Sequence, residues 1–401
     1  MLSSCDLTPS LARPSWTLPD YAGGSVLNLA SSLATHFEVS APHPGLRDAP
    51  PLKGAETVVL LIVDGLGRAQ LERHISDGVA PNFAALLAHG TSTTLTSVFP
   101  STTMAAMTAI HTARAPNESG WLGYTLWLEE TGTLTEMIAQ VALPDKKPLP
   151  RKEFLRVVPN IYSAYAQRGV SVYTVQPREY RGSWLNEWYW AGAQTVEYAS
   201  ANTASSVALE ALEQPGRKLV ILYWADYDTV CHAHGPSRLE ASDEFASVDA
   251  ALGRLLQRLP RDGETAFLVT ADHGQIDLDP REQIHLERDP WLVDHLQGAP
   301  GSERLGRTLR VKPGALEAVE AHMQQYGDVI RTAQAWDTGL FGGAPALETF
   351  RARVGDLIVL PHGRAQLSWS FSAKHPSTPH LGSHGGLSHD QMRVPLLALR
   401  V

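Results

Sequence analysis

Aliphatic runs that stop abruptly at polar residues recur along this chain, and amphipathic stretches separate them. The cleanest runs occupy 57–63 (TVVLLIV), 218–224 (KLVILYW) and 266–270 (AFLVT). They predict strands buried on both faces of a parallel sheet, because a strand with one solvated face alternates apolar and polar residues. Segments 202–212 and 239–259, the latter LEASDEFASVDAALGRLLQRL, place apolar residues at the intervals of a helix face. Strands alternating with helices predict an α/β fold, a doubly wound and mostly parallel sheet flanked by helices. In such folds ligands gather at the carboxyl edge of the sheet.

From about 284 to 362 the texture changes: RVKPGALEAVEAHMQQYG reads as strand, turn and helix, and VGDLIVLPHG as a later strand. Strand-like VPLLALRV follows this region. An inserted α+β lid is therefore expected at 284–362, with 1–283 and 363–401 forming the core. The stretch 144–150, with its Pro and Lys content, reads as a loop, and no internal repeat or low-complexity tract interrupts the pattern.

Composition adds constraints. A chain of 401 residues accommodates one large domain with an insertion, and burying a sizeable core presents no difficulty. Cys5 and Cys231 are the two cysteines, neither with a CxxC partner, which excludes a disulfide framework and favours a reducing, cytoplasmic setting. The opening MLSSCDLTPSLARPSW lacks the basic start and apolar run of a secretion signal. No later stretch approaches the ~20 apolar residues of a membrane span. A formal charge of -9 spread along the chain argues against a nucleic-acid polymer as partner.

Candidate chemistry falls where the runs end. Asp64 follows an aliphatic run and precedes Gly-Leu-Gly; Asp228 and His232 lie one helical turn apart in YWADYDTVCHAHGP; Asp272 and His273 adjoin in FLVTADHGQ; His384 has glycines nearby on both sides in LGSHGGLSHD. Three carboxylates and three imidazoles are the ligand set of a paired divalent-metal centre, in which hard oxygen and borderline nitrogen donors together suit zinc, with manganese or iron as competitors. Each motif also has an ordinary reading. Asp64 suits a helix cap, Asp226 and His234 compete with Asp228 and His232, Asp272 and His273 suit a solvated turn, and His389 rivals His384. The agreement of strand ends with ligands favours the metal. His36, His74, His89, His111, His285, His295 and His322 have no partner at ligand spacing and read as surface or core histidines. FPSTT precedes MAAMTAI, a predicted helix, so its hydroxyl is a helix N-cap, a nucleophile facing the free N–H groups of a helix start, or both.

The ordered series VDGLG, FPSTT, DTVCHAHGP, ADHG and GSHGG resembles the alkaline phosphatase superfamily and, within it, the type I phosphodiesterase and nucleotide pyrophosphatase family, over most of the chain from about Tyr21. The resemblance implies a doubly wound core, two zinc ions and a covalent phosphothreonine intermediate. It puts the nucleophile at Thr103, with Thr102 as the neighbouring register. Asp64, Thr103, Asp272 and His273 would hold the ion that activates the nucleophile; Asp228, His232 and His384 would hold the other. Two divalent ions against three carboxylates leave about one surplus positive charge for an incoming phosphodiester, nucleotide or phosphonate.

Two departures weaken nucleotide specificity. Ala106 and Tyr124, the latter in SGWLGY, stand where nucleotide-cleaving members commonly carry asparagine. Phosphonate or monoester hydrolysis therefore stays open, as does a metal-stabilised binding protein without catalysis. A mutase is expected to favour manganese, and a sulfatase is disfavoured because neither cysteine stands in a C/S-x-P-x-R context. The aromatic cluster RGSWLNEWYWAGA, with Trp184, joins Trp121 and Tyr124 as an expected pocket for a base or apolar leaving group, and Arg178 and Arg181 are expected to bind phosphate.

Overall fold

The computed structural model describes residues 11–372 and 374–401; Cys5 and the first ten residues, part of the opening stretch discussed above, lie outside the described residues. Seven strands build the central sheet: β1 Thr57–Val63, β2 Thr91–Thr96, β3 Ser171–Pro177, β4 Gln194–Tyr198, β5 Lys218–Trp224, β6 Thr265–Thr270 and β7 Arg393–Arg400. Their order is β2-β7-β6-β1-β5-β3-β4. Pairing is parallel from β6 through β4, while β7 lies antiparallel to both β6 and β2. The sheet is thus mixed but mostly parallel, as the aliphatic runs predict, and β1 lies between two parallel neighbours with Val58 to Val63 buried.

Register at the end of β1 positions the chemistry. Ile62 stands opposite both Thr270 and Tyr223, and Val63 opposite Trp224. The residues that follow β1, β5 and β6 therefore emerge side by side.

Three helices matter for the site: α1 Thr103–Thr112, α2 Asp226–His234 and α3 Leu239–Arg258. α3 buries Phe245, Val248, Leu252 and Leu255, the stripe its periodicity predicts. The 202–212 segment forms a helix only from Ala204, after a 3-10 turn at Ala201–Thr203.

Two four-stranded antiparallel sheets flank the centre. One joins Thr125–Leu128, Thr133–Glu136, Val141–Ala142 and Lys147–Pro148, so the expected loop at 144–150 contains a short edge strand. The other joins Gly301–Glu303, Gly306–Leu309, Leu357–Pro361 and Gly327–Arg331. The strand expected in RVKPG lies earlier, at Gly306–Leu309, and the chain leaves the sheet before Pro313, whose ring has no N–H for a ladder. A second apolar cluster, including Leu292, Leu309, Val319, Met323 and Val359, supports this sheet. Trp336, Phe341 and Phe350 of the same region join the main core instead, tying the two parts together.

Candidate metal centre

Asp64 extends the β1–β5 ladder by one residue, its amide donating to the Trp224 carbonyl at 2.9 Å. The residue is 4% exposed. Tyr223 donates its hydroxyl to Asp64 Oδ2, while Oδ1 has no hydrogen-bond partner among the described residues. β6 delivers Asp272 and His273, both fully buried. Asp272 Oδ1 accepts from the amides of Gly65 at 3.1 Å and His273 at 3.0 Å, and Oδ2 has no hydrogen-bond partner among the described residues. Each buried carboxylate is thus anchored through one oxygen and leaves the other unpaired, a costly arrangement unless a cation satisfies it.

The imidazoles show the same pattern. His273 Nδ1 lies 3.1 Å from the Gly274 carbonyl, which can only accept, so Nδ1 carries the proton and Nε2 offers a lone pair. Nε2 lies 3.5 Å from Asp64 Oδ1, 3.4 Å from Asp272 Oδ2 and 3.1 Å from Thr103 Oγ1. On α2 the four-residue spacing brings His232 Nε2 within 3.3 Å of Asp228 Oδ2. His232 Nδ1 donates to the Gly382 carbonyl at 2.8 Å and His384 Nδ1 to the Ser101 carbonyl at 2.9 Å. Both Nε2 atoms are therefore acceptors, yet they face each other at 3.2 Å. Two lone pairs at that separation repel, and a cation between them turns repulsion into coordination.

Donor atoms of Asp228, His232 and His384 lie within 4.8 Å of one another, and so do those of Asp64, Asp228 and His273. Asp228 stands between the two groups, oriented by Gln275, whose Nε2 donates to Oδ1 at 2.5 Å. Burial, reinforced by the charges of Asp272 and Asp228, pushes the Asp64 carboxyl well above the usual range. Burial, with His273 and His232 nearby, holds His384 well below the usual imidazole value. A divalent cation would oppose the first effect and use the neutral imidazole of the second, so the residues present fit a metal pair.

Backbone freedom is needed at two points. Gly65 has φ +74°, and a Cβ there would lie 2.8 Å from Gln275 Nε2 and 3.0 Å from Asp228 Oδ1. Gly385, beside His384, has φ +111°, and a Cβ would meet Glu303 Cβ at 2.3 Å.

At the start of α1, Thr102 occupies the N-cap position without making a capping bond. Its hydroxyl donates to Glu303 Oε1 at 2.9 Å, whereas Thr103 Oγ1 faces His273. A cavity of about 400 Å³ opens over Thr103, Asp228, His232 and His384, and Ser302, Glu303, Arg304 and Arg307 of the 284–362 region also line it. A second cavity of about 200 Å³ shares Thr103 and Met104 and is lined by Met107, Tyr180, Tyr189 and Trp190.

The expected substrate contacts divide. Tyr124 lines the larger cavity, its amide donating to Glu303 Oε1 at 2.8 Å. Trp121 is fully buried, bonded to the Leu155 carbonyl and stacked on Trp188, and lines neither cavity. Arg178 is exposed, Arg181 pairs with Glu197 at the surface, and Trp184 packs under Arg156 with the guanidinium 4.3 Å from its ring. These three also line neither cavity; of the helix Trp184–Tyr189, Leu185, Asn186 and Tyr189 line the smaller one, and Trp184 does not. The rival ligands lie elsewhere: Asp226 lines a separate cavity with Glu179 and Glu244, His234 is exposed, and His389 bonds Thr17 and the Pro14 carbonyl.

Sequence reasoning missed Tyr223, Gln275, Glu303, Arg304, Arg307 and His380, the last lining the larger cavity with its ring 4.6 Å from that of His232. Tyr223 and Gln275 lie inside the segments YWADYDTVCHAHGP and FLVTADHGQ and were findable as neighbours of the candidate ligands. The hairpin residues had no local signal, since only tertiary packing carries them to the candidate metal ligands.

A profile of the type I phosphodiesterase/nucleotide pyrophosphatase family matches residues 58–387. Among curated proteins no sequence match was found. Solved structures share the fold: murine ectonucleotide pyrophosphatase/phosphodiesterase 5, at TM-score 0.63 and 16% identity over 84% of this chain and 87% of that one, also solved as an inactive variant with AMP. The human protein gives 0.62 and 17% over 85% and 87%. Phosphonoacetate hydrolase from Sinorhizobium meliloti 1021 gives 0.63 and 20% over 86% and 89% in its complex with phosphonoacetate. With the strand-end ligand series, the sheet that gathers it and the family profile spanning both, the chain belongs to the type I phosphodiesterase/nucleotide pyrophosphatase family of the alkaline phosphatase superfamily.

Proposed function

We propose that this protein is a two-metal hydrolase that cleaves phosphodiester or phosphoanhydride bonds in small molecules, nucleotides or related organophosphates, through a phosphothreonine on Thr103. The observation that carries this reading is the convergence of unpaired donors: the facing Nε2 atoms of His232 and His384 beside the free Asp64 Oδ1 and Asp272 Oδ2. Asp64, Thr103, Asp272 and His273 would hold one ion, and Asp228, His232 and His384 the other. Zinc suits this mixture of carboxylate and imidazole better than magnesium or calcium, with manganese and iron as competitors. When bound, such ions supply Lewis acidity and lower the pKa of a neighbouring hydroxyl.

The chain's own residues do the rest. Tyr223 and Gln275 orient Asp64 and Asp228, and the carbonyls of Gly274, Gly382 and Ser101 fix the three imidazole tautomers. Thr103 Oγ forms a bond to phosphorus as the ester oxygen leaves with a proton, and water then cleaves the Thr103 O–P bond, regenerating the hydroxyl. The N–H groups at the start of α1 favour the charge on the transferring group. Region 284–362 acts as a lid whose hairpin closes one side of the cavity, and the aromatic cavity beside Thr103 would pack a nucleoside or an apolar leaving group.

A phosphonate hydrolase is the second reading, favoured by Ala106 and Tyr124 in place of asparagine and by the arginines of the cavity. No described helix is long and apolar enough to cross a membrane. A cytoplasmic setting is supported by the free, buried thiol of Cys231, and cell fractionation tests it.

Turnover of bis-p-nitrophenyl phosphate and p-nitrophenyl thymidine monophosphate by zinc-loaded protein is the direct test. Thr103→Ala should lower it at least about a thousandfold while metal content stays near about two ions per chain, and mass spectrometry should find phosphate on Thr103 of the native chain. Full activity in the variant, or no turnover of either diester with metals bound, would overturn the proposal.

A further inference from the structure

We infer that the larger cavity contains, apart from the metal-binding residues, a receptor for a second anionic group on the substrate, built by Arg304 and Arg307. This rests on the reading of the metal centre as the place where the phosphoryl group binds. Arg304 lies in the turn of the hairpin formed by Gly301–Glu303 and Gly306–Leu309, and Arg307 lies in its second strand. Both line the cavity that opens over Thr103, His232 and His384.

Among the described residues neither guanidinium has an anion of its own. Arg307, 9% exposed, donates through Nε to the Leu367 carbonyl at 2.9 Å and through Nη1 to the carbonyls of Ser302 at 3.1 Å and Gly301 at 3.4 Å. Arg304 Nη1 reaches Gln366 Oε1 at 3.1 Å, Ser377 Oγ at 3.1 Å and Ser368 Oγ at 3.4 Å. Every one of these acceptors is neutral. They hold the two planar groups in place and leave Arg304 Nε and Nη2 and Arg307 Nη2 without a protein acceptor among the described residues. Glu303, beside Arg304 in the chain, directs Oε1 to the Thr102 hydroxyl and the Tyr124 amide instead. Ser302 Oγ, on the same cavity lining, is buried without a partner.

Apart from Asp228 among the candidate metal ligands, two guanidinium groups stand against one carboxylate, Glu303, which leaves this side of the lining positive, and burial without a counter-ion is unfavourable for a guanidinium. The same burial pulls the Arg307 pKa down to about 10. A fork of N–H donors matches carboxylate or phosphate oxygens. The second cavity beside Thr103 offers the contrast: Met107, Tyr189 and Trp190 line it, and no arginine does. Thr103 therefore sits between a cationic and an aromatic compartment. The substrate class that fits is a phosphodiester or phosphonate with one arm ending in a carboxylate or a phosphate.

Titration calorimetry on the zinc-loaded protein tests this without turnover. Alkylphosphonates are compared with ω-carboxyalkylphosphonates and ω-phosphonoalkylphosphonates of equal chain length. At one length or more the second anion should tighten binding about tenfold over its alkyl match, and the two anionic series show which group is preferred. Arg304→Gln should bring that ratio close to one, and Arg304→Lys should retain part of it; because Arg307 keeps its structural bonds in both, thermal melting should show both folded. A ratio near one at every length in the native protein, or a ratio unchanged in Arg304→Gln, overturns the inference alone. Failure of alkylphosphonates themselves to bind would overturn it together with the metal-centre reading.

Discussion

At the scale of single residues, what distinguishes this site is how each ligand is half satisfied. Tyr223 bonds one oxygen of Asp64 and leaves the other unpaired, so Tyr223→Phe keeps the packed ring while removing the orienting donor. Zinc affinity should fall about 10- to 100-fold in that variant, read by competition with a chromogenic chelator; an unchanged affinity would remove Tyr223 from the site. Asp272→Asn or His384→Ala should lose metal outright, and full zinc content in either would count against those ligands. Away from the site, buried His74 donates or accepts at Tyr227 Oη, 2.9 Å away, and burial lowers its pKa from 6.5 to about 4. A depressed histidine binds its proton more readily when unfolded, so its stability contribution is present above pH 6.5 and is lost as pH falls towards 4. His74→Gln should reduce the slope of stability against pH in that window by up to about 1.4 kcal/mol per pH unit. Urea unfolding at several pH values measures it, and a slope that does not change rejects the assignment.

At the scale of elements, parallel register does the gathering. β1 pairs with β5 and β6 so that Asp64, α2 and Asp272 start from one edge, and α2 converts a four-residue spacing into a shared face. Close approach of separate elements then depends on glycine. Gly385→Ala would set a Cβ against Glu303 at a backbone conformation that alanine rarely adopts, with an expected cost of about 1–3 kcal/mol. The same change should weaken zinc binding through the adjacent His384. Denaturant melts and metal analysis of the variant report both effects, and a neutral result would mean that the hairpin yields without disturbing the imidazole.

For the whole molecule, the candidate metal ligands are spread from Asp64 to His384, and the hairpin comes from the region between β6 and β7. Ligand binding to the folded state alone stabilises it by mass action, about 2.7 kcal/mol when free metal is a hundred times Kd. Chelation should therefore lower the melting temperature by several degrees, with zinc restoring it. Identical melting with and without chelator would show that no ion bridges these segments.

Much of this architecture was readable without coordinates. A buried parallel strand needs apolar residues on both faces, so β1, β5 and β6 announce themselves as short aliphatic runs, and the candidate ligands stand where those runs stop. The spacing of Asp228 and His232 is likewise a local property of a helix. Other features had no local cause. That Thr102 turns to Glu303 while Thr103 faces His273, that Trp121 is core while Tyr124 reaches the cavity, and that Arg304 and Arg307 arrive beside the imidazoles are all products of packing between segments far apart in sequence. Side-chain periodicity encodes which face of an element is buried; which partner it meets there depends on how the other elements fill the remaining space.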